Sequence, residues 1–294
     1  MAENYRAGQK PSIACEITST LVAAARVSPH GDAIEIVHSR SLPAGAVTPS
    51  LTGTNVVNRE AVREAVAETI GAVGGRTRDV IAVIPDATVK ITLLDFDTLP
   101  EKTADAEPVV RFRLKKSLPF DVEKAAVSYD AKHAQEGLRV VTATMLQSIR
   151  DEYESVIREA GYLPGIMMPS TLAALGAMDG NRPTMLLKLD AETTSVAIVN
   201  HDELLLFRTL EGGTAGQISA ERLAEDVYPS LVYFQDTYGE NVELVLVSGV
   251  ANVSEVAEAL QQQTGSRIDD LLRTANLTAA GMRPEVAGAI GALL

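Results

Sequence analysis

Apolar positions recur with two different periods along this chain, and the changes of period divide it into elements. Residues 12–20, 21–27 and 34–40 read as three β segments; in the last, Ile34, Ile36 and His38 alternate with Glu35, Val37 and Ser39, and His30-Gly31-Asp32 supplies a turn. They predict a small antiparallel meander. The period then lengthens: Val62, Ala65, Val66, Thr69, Ile70 and Val73 fall on one helical face, with Asn58 as the cap and Gly74-Gly75 as the stop. A buried strand over 80–84 follows, so the opening reads as a mixed sheet with a helix across it.

After Ala87 the pattern changes. A strand over 89–96, a charged helix over about 108–118 ended by Pro119-Phe120, strands at 126–129 and 138–144, and a helix with Ile149, Tyr153, Val156, Ile157 and Ala160 on one face predict a compact α+β insertion. Ser170 is expected to cap a short helix carrying Leu172, Leu175 and Met178, and Asp179-Gly180-Asn181 with Pro183 to mark a lobe boundary.

The second half then repeats the opening. A strand over 185–189 ends at Asp190, followed by a polar turn at 191–194, a strand over 195–199, a turn at 200–202 and a strand over 204–208. The first half has a strand to Glu16, a hydroxyl-rich turn at 17–20 and outgoing strands in the same order. A repeat of strand, acid, turn and strand predicts a duplicated α/β lobe pair facing a cleft. Beyond it lie a long helix over 218–238 bent at Pro229, a buried strand over 242–247, a capping box at Asn252-x-x-Glu255, and a final helix from Arg283-Pro284 with Val286, Ala289, Ile290 and Leu293 inward. The expected division is a disordered segment at 1–11, a first lobe of 12–87 plus 164–180, an insertion over 88–163 and a second lobe over 181–294.

Composition narrows the chemistry. With 294 residues the chain can bury two cores without staples, and its single cysteine, Cys15, lies in an apolar run, as a buried thiol in a reducing compartment would. No uninterrupted apolar stretch reaches about 18 residues and the start is polar, so the expected location is cytoplasmic. The formal net charge of -13 repels nucleic acid and anionic lipid at long range. His30, His38, His133 and His201 have no metal-ligand spacing, and no P-loop, Gly-x-Gly-x-x-Gly or Gly-x-Ser-x-Gly occurs, so no metal site and no catalytic residue is assigned. Asp95 and Asp97 read as a solvated strand end. Arg111, Arg113, Lys115 and Lys116 read as an exposed helix face, or as a docking surface for an acidic or membrane-proximal partner.

The acid-and-hydroxyl turns, Val83-Ile84-Pro85-Asp86, Ser117-Leu118-Pro119-Phe120, Gly212-Gly213 and Ser248-Gly249 together resemble the PilM family of type IV pilus assembly proteins, related to FtsA and to the cytosolic half of GspL. The resemblance covers nearly the whole chain from Ser12. It implies an α/β, actin-like (ribonuclease H-like) duplicated two-lobe fold with a small insertion in the first lobe. It further implies a cytosolic scaffold, peripheral to the inner membrane, that captures the N-terminal peptide of a PilN-like bitopic membrane protein beside other platform or motor components of a pilus or type II secretion machine.

The same resemblance implies a cleft able to hold ATP with Mg. Its nucleotide-binding positions would be Glu16, Thr18, Ser19, Asp190, Thr193, Thr194, Gly212, Gly213, Ser248 and Gly249. The phosphate turns depart from the family pattern, because Thr18 and Glu192 stand where glycine would let the backbone approach phosphate, and Val250 follows Ser248-Gly249 where a small residue is usual. A degenerate cleft with no required cofactor is one expectation; a Mg-dependent ATP-binding protein or weak ATPase is the alternative. The resemblance places the partner-peptide groove near Ile84, Pro85, Val89, Ile91, Leu118, Pro119 and Phe120.

Overall fold

The structure, a computed structural model, describes residues 10–28, 33–75, 77–134, 137–214, 219–274 and 284–294. The expected turn at His30-Gly31-Asp32, most of the expected N-terminal segment, and the helix starts placed at Ile218 and Arg283 lie outside those residues.

Strands β1 (Ile13–Ile17), β2 (Leu21–Val27) and β3 (Ile34–Ser41) precede helix α1 (Arg59–Val73) and strand β4 (Asp79–Ile84). Then come β5 (Lys90–Phe96), α2 (Thr103–Leu114), β6 (Ala125–His133), β7 (Leu138–Leu146), α3 (Gln147–Glu159), β8 (Leu163–Pro169) and α4 (Ser170–Ala174). The second half carries β9 (Thr184–Leu189), β10 (Thr193–Asn200), β11 (Glu203–Glu211), α5 (Ala220–Tyr238), β12 (Leu244–Ser248), α6 (Ser254–Thr264), β13 (Arg267–Asp270), α7 (Leu271–Thr274) and α8 (Ala287–Gly291).

Two five-stranded sheets share one connectivity, ordered β3-β2-β1-β4-β8 and β11-β10-β9-β12-β13. In each, an antiparallel meander continues into two parallel strands. The lobes are thus duplicated, as the repeat predicted. Helix α3 holds the place between β4 and β8 that α6 holds between β12 and β13, and its Ile149, Tyr153, Val156 and Ile157 pack with α1 on the first sheet. The insertion's own body is therefore the β5-β7-β6 sheet with α2, around a small core of Phe96, Val110, Leu114 and Val140.

Helix α1 shows why the sequence folds this way locally. Its buried residues are the six that periodicity picked out, the Asn58 side-chain Oδ1 accepts from Ala61 N at 3.2 Å, and Gly74 leaves the helix at φ 65°. Truncating one of its buried branched residues would cost about 1–4 kcal/mol through lost burial and a residual cavity. Three expectations shift. Helix α2 starts at Thr103, before Pro108, and ends at Leu114, short of Pro119. Ser170 does not cap α4; it is the helix's first residue, and its hydroxyl is used elsewhere. Asn252 does not form a capping box, since Val253 precedes α6 and the Asn252 side-chain Oδ1 accepts from Ser254 N at 3.1 Å.

The sheets pack in layers. Helices α1 and α3 cover the outer face of the first sheet, and α5 and α6 that of the second. Between the sheets, Ala14, Ile81 and Val83 share one core with Leu186, Ala197 and Leu246, filled in by α4 and α8. Strands buried on both faces need apolar residues at every position. Two charged side chains, on β1 and β9, break that rule at the centre of the molecule.

Candidate functional site

Hairpin registers fix which residues of the two halves correspond. Glu16 pairs with Ala23 and Ile17 with Val22, while Lys188 pairs with Ser195 and Leu189 with Thr194. The same backbone bond closes both turns, from Thr18 N to Leu21 O at 2.9 Å and from Asp190 N to Thr193 O at 2.8 Å. A register shift recurs between Arg26 and Val27 and between Ile198 and Val199. Glu16 therefore corresponds to Lys188, and Thr18 to Asp190. The acid-to-acid match drawn from the sequence is two residues out of register, because it followed chemical type where the sheets follow position.

Around these residues the lobes meet in a closed polar network. Lys188 is 1% exposed and Glu16 is 0% exposed. The Lys188 ammonium lies 2.5 Å from Asp190 Oδ1 and 3.6 Å from Glu16 Oε1. Ser170 Oγ donates to Glu16 Oε1, and the Ala289 amide donates to Glu16 Oε2 at 2.8 Å. Asp86, just past β4, accepts from Thr171 N at 2.9 Å and from Thr171 Oγ1 at 2.5 Å. Burial pushes the Glu16 and Asp86 carboxyls up, each opposed by the pull of Lys188. Burial alone would lower the Lys188 ammonium, but Asp190, Glu16 and Asp86 outweigh it and raise it. Sequence reasoning missed Lys188 as a site residue. The available signal was a lysine in the apolar run Met185-Leu186-Leu187-Lys188-Leu189, two residues before an acid.

Above the network is a cavity of about 400 Å³ whose lining includes Thr18, Asp190 and Gly249. It also carries Glu255 and Glu285 and, among the described residues, no lysine or arginine. Ser19, Glu192 and Thr193 line a separate recess of about 20 Å³ with Thr18 and Asp190. The first turn is satisfied from within: Thr18 Oγ1 accepts from Thr20 N at 3.2 Å and Leu21 N at 3.0 Å and donates to Leu21 O at 3.0 Å. The second is covered, since Gly212 N donates to Glu192 O at 2.9 Å and Thr194 Oγ1 to Gly212 O at 2.9 Å. Gly213 lies so near Asp190 O that a Cβ would strike it. Ser248 and Glu16 are buried. Cys15 sits on the far face of β1, and burial pushes its thiol up to about 12, which keeps it protonated and inert.

The residues expected to form the partner groove do not lie together. Ile84, Val89 and Ile91 are buried in the first lobe's outer core, whereas Leu118 packs in the insertion's core and Pro119 is exposed. Enclosed side chains leave a peptide nothing to grip. An opening lies elsewhere, where the insertion meets both lobes, as a cavity of about 420 Å³ lined by the apolar Val141, Leu172, Leu175, Met178 and Leu204 and by the charged Asp130, Lys132, Arg139, Asp202 and Glu203. Arg139 contacts Asp95 at 3.2 Å and Glu203 at 3.1 Å and stacks over Tyr238 at 5.5 Å, and Lys132 donates to Asp202 O at 3.2 Å. These contacts bind the insertion to the second lobe. The basic run on α2 is not one free face: Arg111 pairs with Glu107 and donates to Val122 O, and Arg113 lies over Phe96.

With this geometry established, likeness to other proteins can be weighed. No protein-family model matches the sequence, and no curated protein does. Among solved structures, a chain of the PilM-PilN type IV pilus biogenesis complex is similar at a TM-score of 0.80 and 19% identity, over 97% of this chain and 98% of that one. A Bacteroides thetaiotaomicron protein of unknown function with an actin-like ATPase fold is similar at 0.56 and 11% identity, over 91% and 95%. The fold is actin-like. The cytoplasmic domain of EpsL, an inner membrane component of the type II secretion system of Vibrio cholerae, shares this actin-like architecture at 0.53 and 11% identity, over 88% and 97%. Among the described residues no helix is long and apolar enough to cross a membrane.

Proposed function

We propose that this chain is a scaffold of a type IV pilus or related type II secretion assembly platform, which docks the N-terminal cytoplasmic peptide of a PilN-like bitopic inner-membrane protein. The observation that carries this reading is the end-to-end likeness to the PilM-PilN complex at a TM-score of 0.80. The chain then works in the cytoplasm, held to the inner membrane through that partner. Its first lobe comprises 12–87 with 164–180 and α3, the insertion spans β5 to β7, and the second lobe spans 181–294. The peptide enters the cavity at which the insertion meets both lobes, where apolar side chains give it burial and flanking charges set its register.

In this reading the interlobe cleft has lost nucleotide as a working ligand, because its residues do not fit Mg-ATP. The turn amides that would face phosphate are taken by the Thr18 hydroxyl, and Asp190 is paired with Lys188. A polyphosphate would instead meet Asp190, Glu255 and Glu285, with no lining cation among the described residues. Each like-charge pair at about 4 Å costs about 1 kcal/mol in water and about 4 kcal/mol at intermediate dielectric. The test is isothermal titration with a synthetic N-terminal peptide of a PilN-like bitopic protein, run next to Mg-ATP. Micromolar heat for the peptide and none for the nucleotide is expected; Mg-dependent ATP turnover abolished by Asp190→Ala, with no peptide binding, would overturn the scaffold reading.

A further inference from the structure

One position of the ancestral hairpin has become an acid in the first half, Glu16, and a base in the second, Lys188. Because the sheets face each other across the shared core, the two copies of that position meet, with the ammonium 3.6 Å from Glu16 Oε1. Both side chains are buried, and protein groups among the described residues compensate them. Lys188 is held by Asp190 of its own lobe and Glu16 of the other, and Asp86 adds a third negative field from the end of β4. Glu16 in turn gathers Ser170 at the start of α4 and the Ala289 amide in α8.

Packing leaves no slack around this junction. Gly288 faces it, and a Cβ there would lie 2.6 Å from Glu16 Oε1 and 2.7 Å from Ser170 Oγ. Such a centre needs one cation to balance its carboxylates, and the fold supplies it from β9. We propose that Lys188 is a built-in counter-cation which locks the two lobes in the closed arrangement, so that closure requires neither metal ion nor nucleotide. Glu16 is its partner across the lobes, and α4 and α8 are clamped because both bind the same carboxylate.

A lock of this kind differs from an ordinary buried ion pair in where its loss is felt. Removing the ammonium leaves Glu16 and Asp86 of one lobe facing Asp190 of the other, which drives the lobes apart; removing the Glu16 charge as well takes away the first-lobe carboxylate nearest the ammonium, leaves Asp86 and Asp190, and lets the lobes approach part of the way again. The experiment uses the full chain with nitroxide labels introduced at Ala72→Cys on α1 and Gln261→Cys on α6, exposed positions on opposite outer layers. Cys15 is buried and stays unlabelled. Pulsed dipolar distances and thermal melts are recorded without nucleotide for the parent, Lys188→Met and the double variant Glu16→Gln with Lys188→Met.

A single narrow distance is expected in the parent. Lys188→Met broadens and lengthens the distribution and lowers Tm by about 10 °C or more; the double variant narrows it again and recovers part of the Tm. Should Lys188→Met be too unstable to label, the double variant against the parent still decides, because it retains fold and packing volume. An unchanged distance in Lys188→Met, or a double variant no closer to the parent than the single one, would overturn the lock. Adding Mg-ATP to the parent tests the other reading separately: nucleotide binding there would overturn the nucleotide-free cleft and leave the measurements made without it standing.

Discussion

Two openings flank the molecule's shared core, one between the lobes and one beneath the insertion, and they are built on opposite terms. The interlobe cleft is polar, and its hydrogen-bonding groups are largely spent on each other: Thr18 on its own turn, Asp190 on Lys188, Glu16 on Ser170 and Ala289. The opening under the insertion is apolar at Leu172, Leu175 and Met178, and those side chains are half-buried with no partner segment over them among the described residues. A self-satisfied polar site gains little from a ligand, since each new bond replaces an old one. Half-buried apolar surface gains about 25 cal/mol for each Å² a partner covers. Similar volumes therefore carry different capacities, and substitutions in the first site should act on folding while those in the second act on binding.

The sharpest break of that contrast is Gly249→Val. Gly249 adopts φ 92° and lies against the Leu189 backbone, where a Cβ cannot fit. Its role here is to let the chain leave β12 beside β9. The substitution is expected to cost about 3 kcal/mol or more in urea unfolding. A variant of parental stability would show that the cleft is slack and could open to a ligand. Next in size is Met178→Glu, which puts a carboxylate on the apolar lining. It should weaken the partner peptide at least about tenfold, or about 1.4 kcal/mol, by titration, with a smaller loss of stability. Phe112, 76% exposed on α2, is the control: if Phe112→Ala weakens binding more than Met178→Glu, the peptide lies on the other side of the insertion.

The unequal character of the two sites explains what the sequence could reveal. Helices α1 and α3 were legible because their apolar spacing alone sets the buried face. The repeat was legible as a pattern, since both halves keep the polar turn between their first two strands. Strand β8 escaped notice because Pro164, Gly165 and Pro169 argue against a strand; it survives at the sheet edge, where a missing amide costs little, and Gly165 falls at the irregularity opposite Val80 and Ile81. Strand β13 was missed as well, being four residues long with three of them charged. The polar network was only half legible. Glu16 and Asp190 were singled out as acids, but their partner Lys188 is recognisable only when two strands distant in sequence are brought face to face. The opening beneath the insertion, which the proposal assigns to the partner peptide, was not legible, because Leu175 and Met178 look like core residues until tertiary packing leaves them half covered.

The contrast also has a pH signature. Burial raises the Glu16 and Asp86 carboxyls, so the folded chain holds these protons more tightly than the unfolded chain. Their contribution is fully present below the ordinary carboxylate range and is lost as pH rises through the raised folded values. Facing charges are Lys188 and Asp190, and Lys188 stays protonated throughout because its own shift is upward. Wild-type stability should therefore fall relative to Asp86→Asn as pH rises from about 4 to about 8. Peptide affinity should not follow that trend, because neither carboxyl lines the insertion groove. An opposite slope in the stability difference would mean that the pull of Lys188 outweighs burial, so that the folded chain gives up these protons more readily than the unfolded chain.

The smallest effect tests whether the two regions are mechanically separate. Lys132 reaches from β6 to the carbonyl of Asp202 in the turn before β11, an exposed bond between the insertion and the second lobe. Exposed bonds of this kind contribute a few tenths of a kcal/mol, so Lys132→Ala should leave urea unfolding almost unchanged. Arg139 continues to join the same elements through Glu203 and Tyr238, which keeps the groove's wall in place. Peptide affinity should therefore change by no more than about twofold. A larger loss, with stability intact, would mean that Lys132 contacts the peptide directly or that the insertion swings on this bond. Dipolar distances between labels on α2 and α6 distinguish those two cases, since only the swing moves the helices apart.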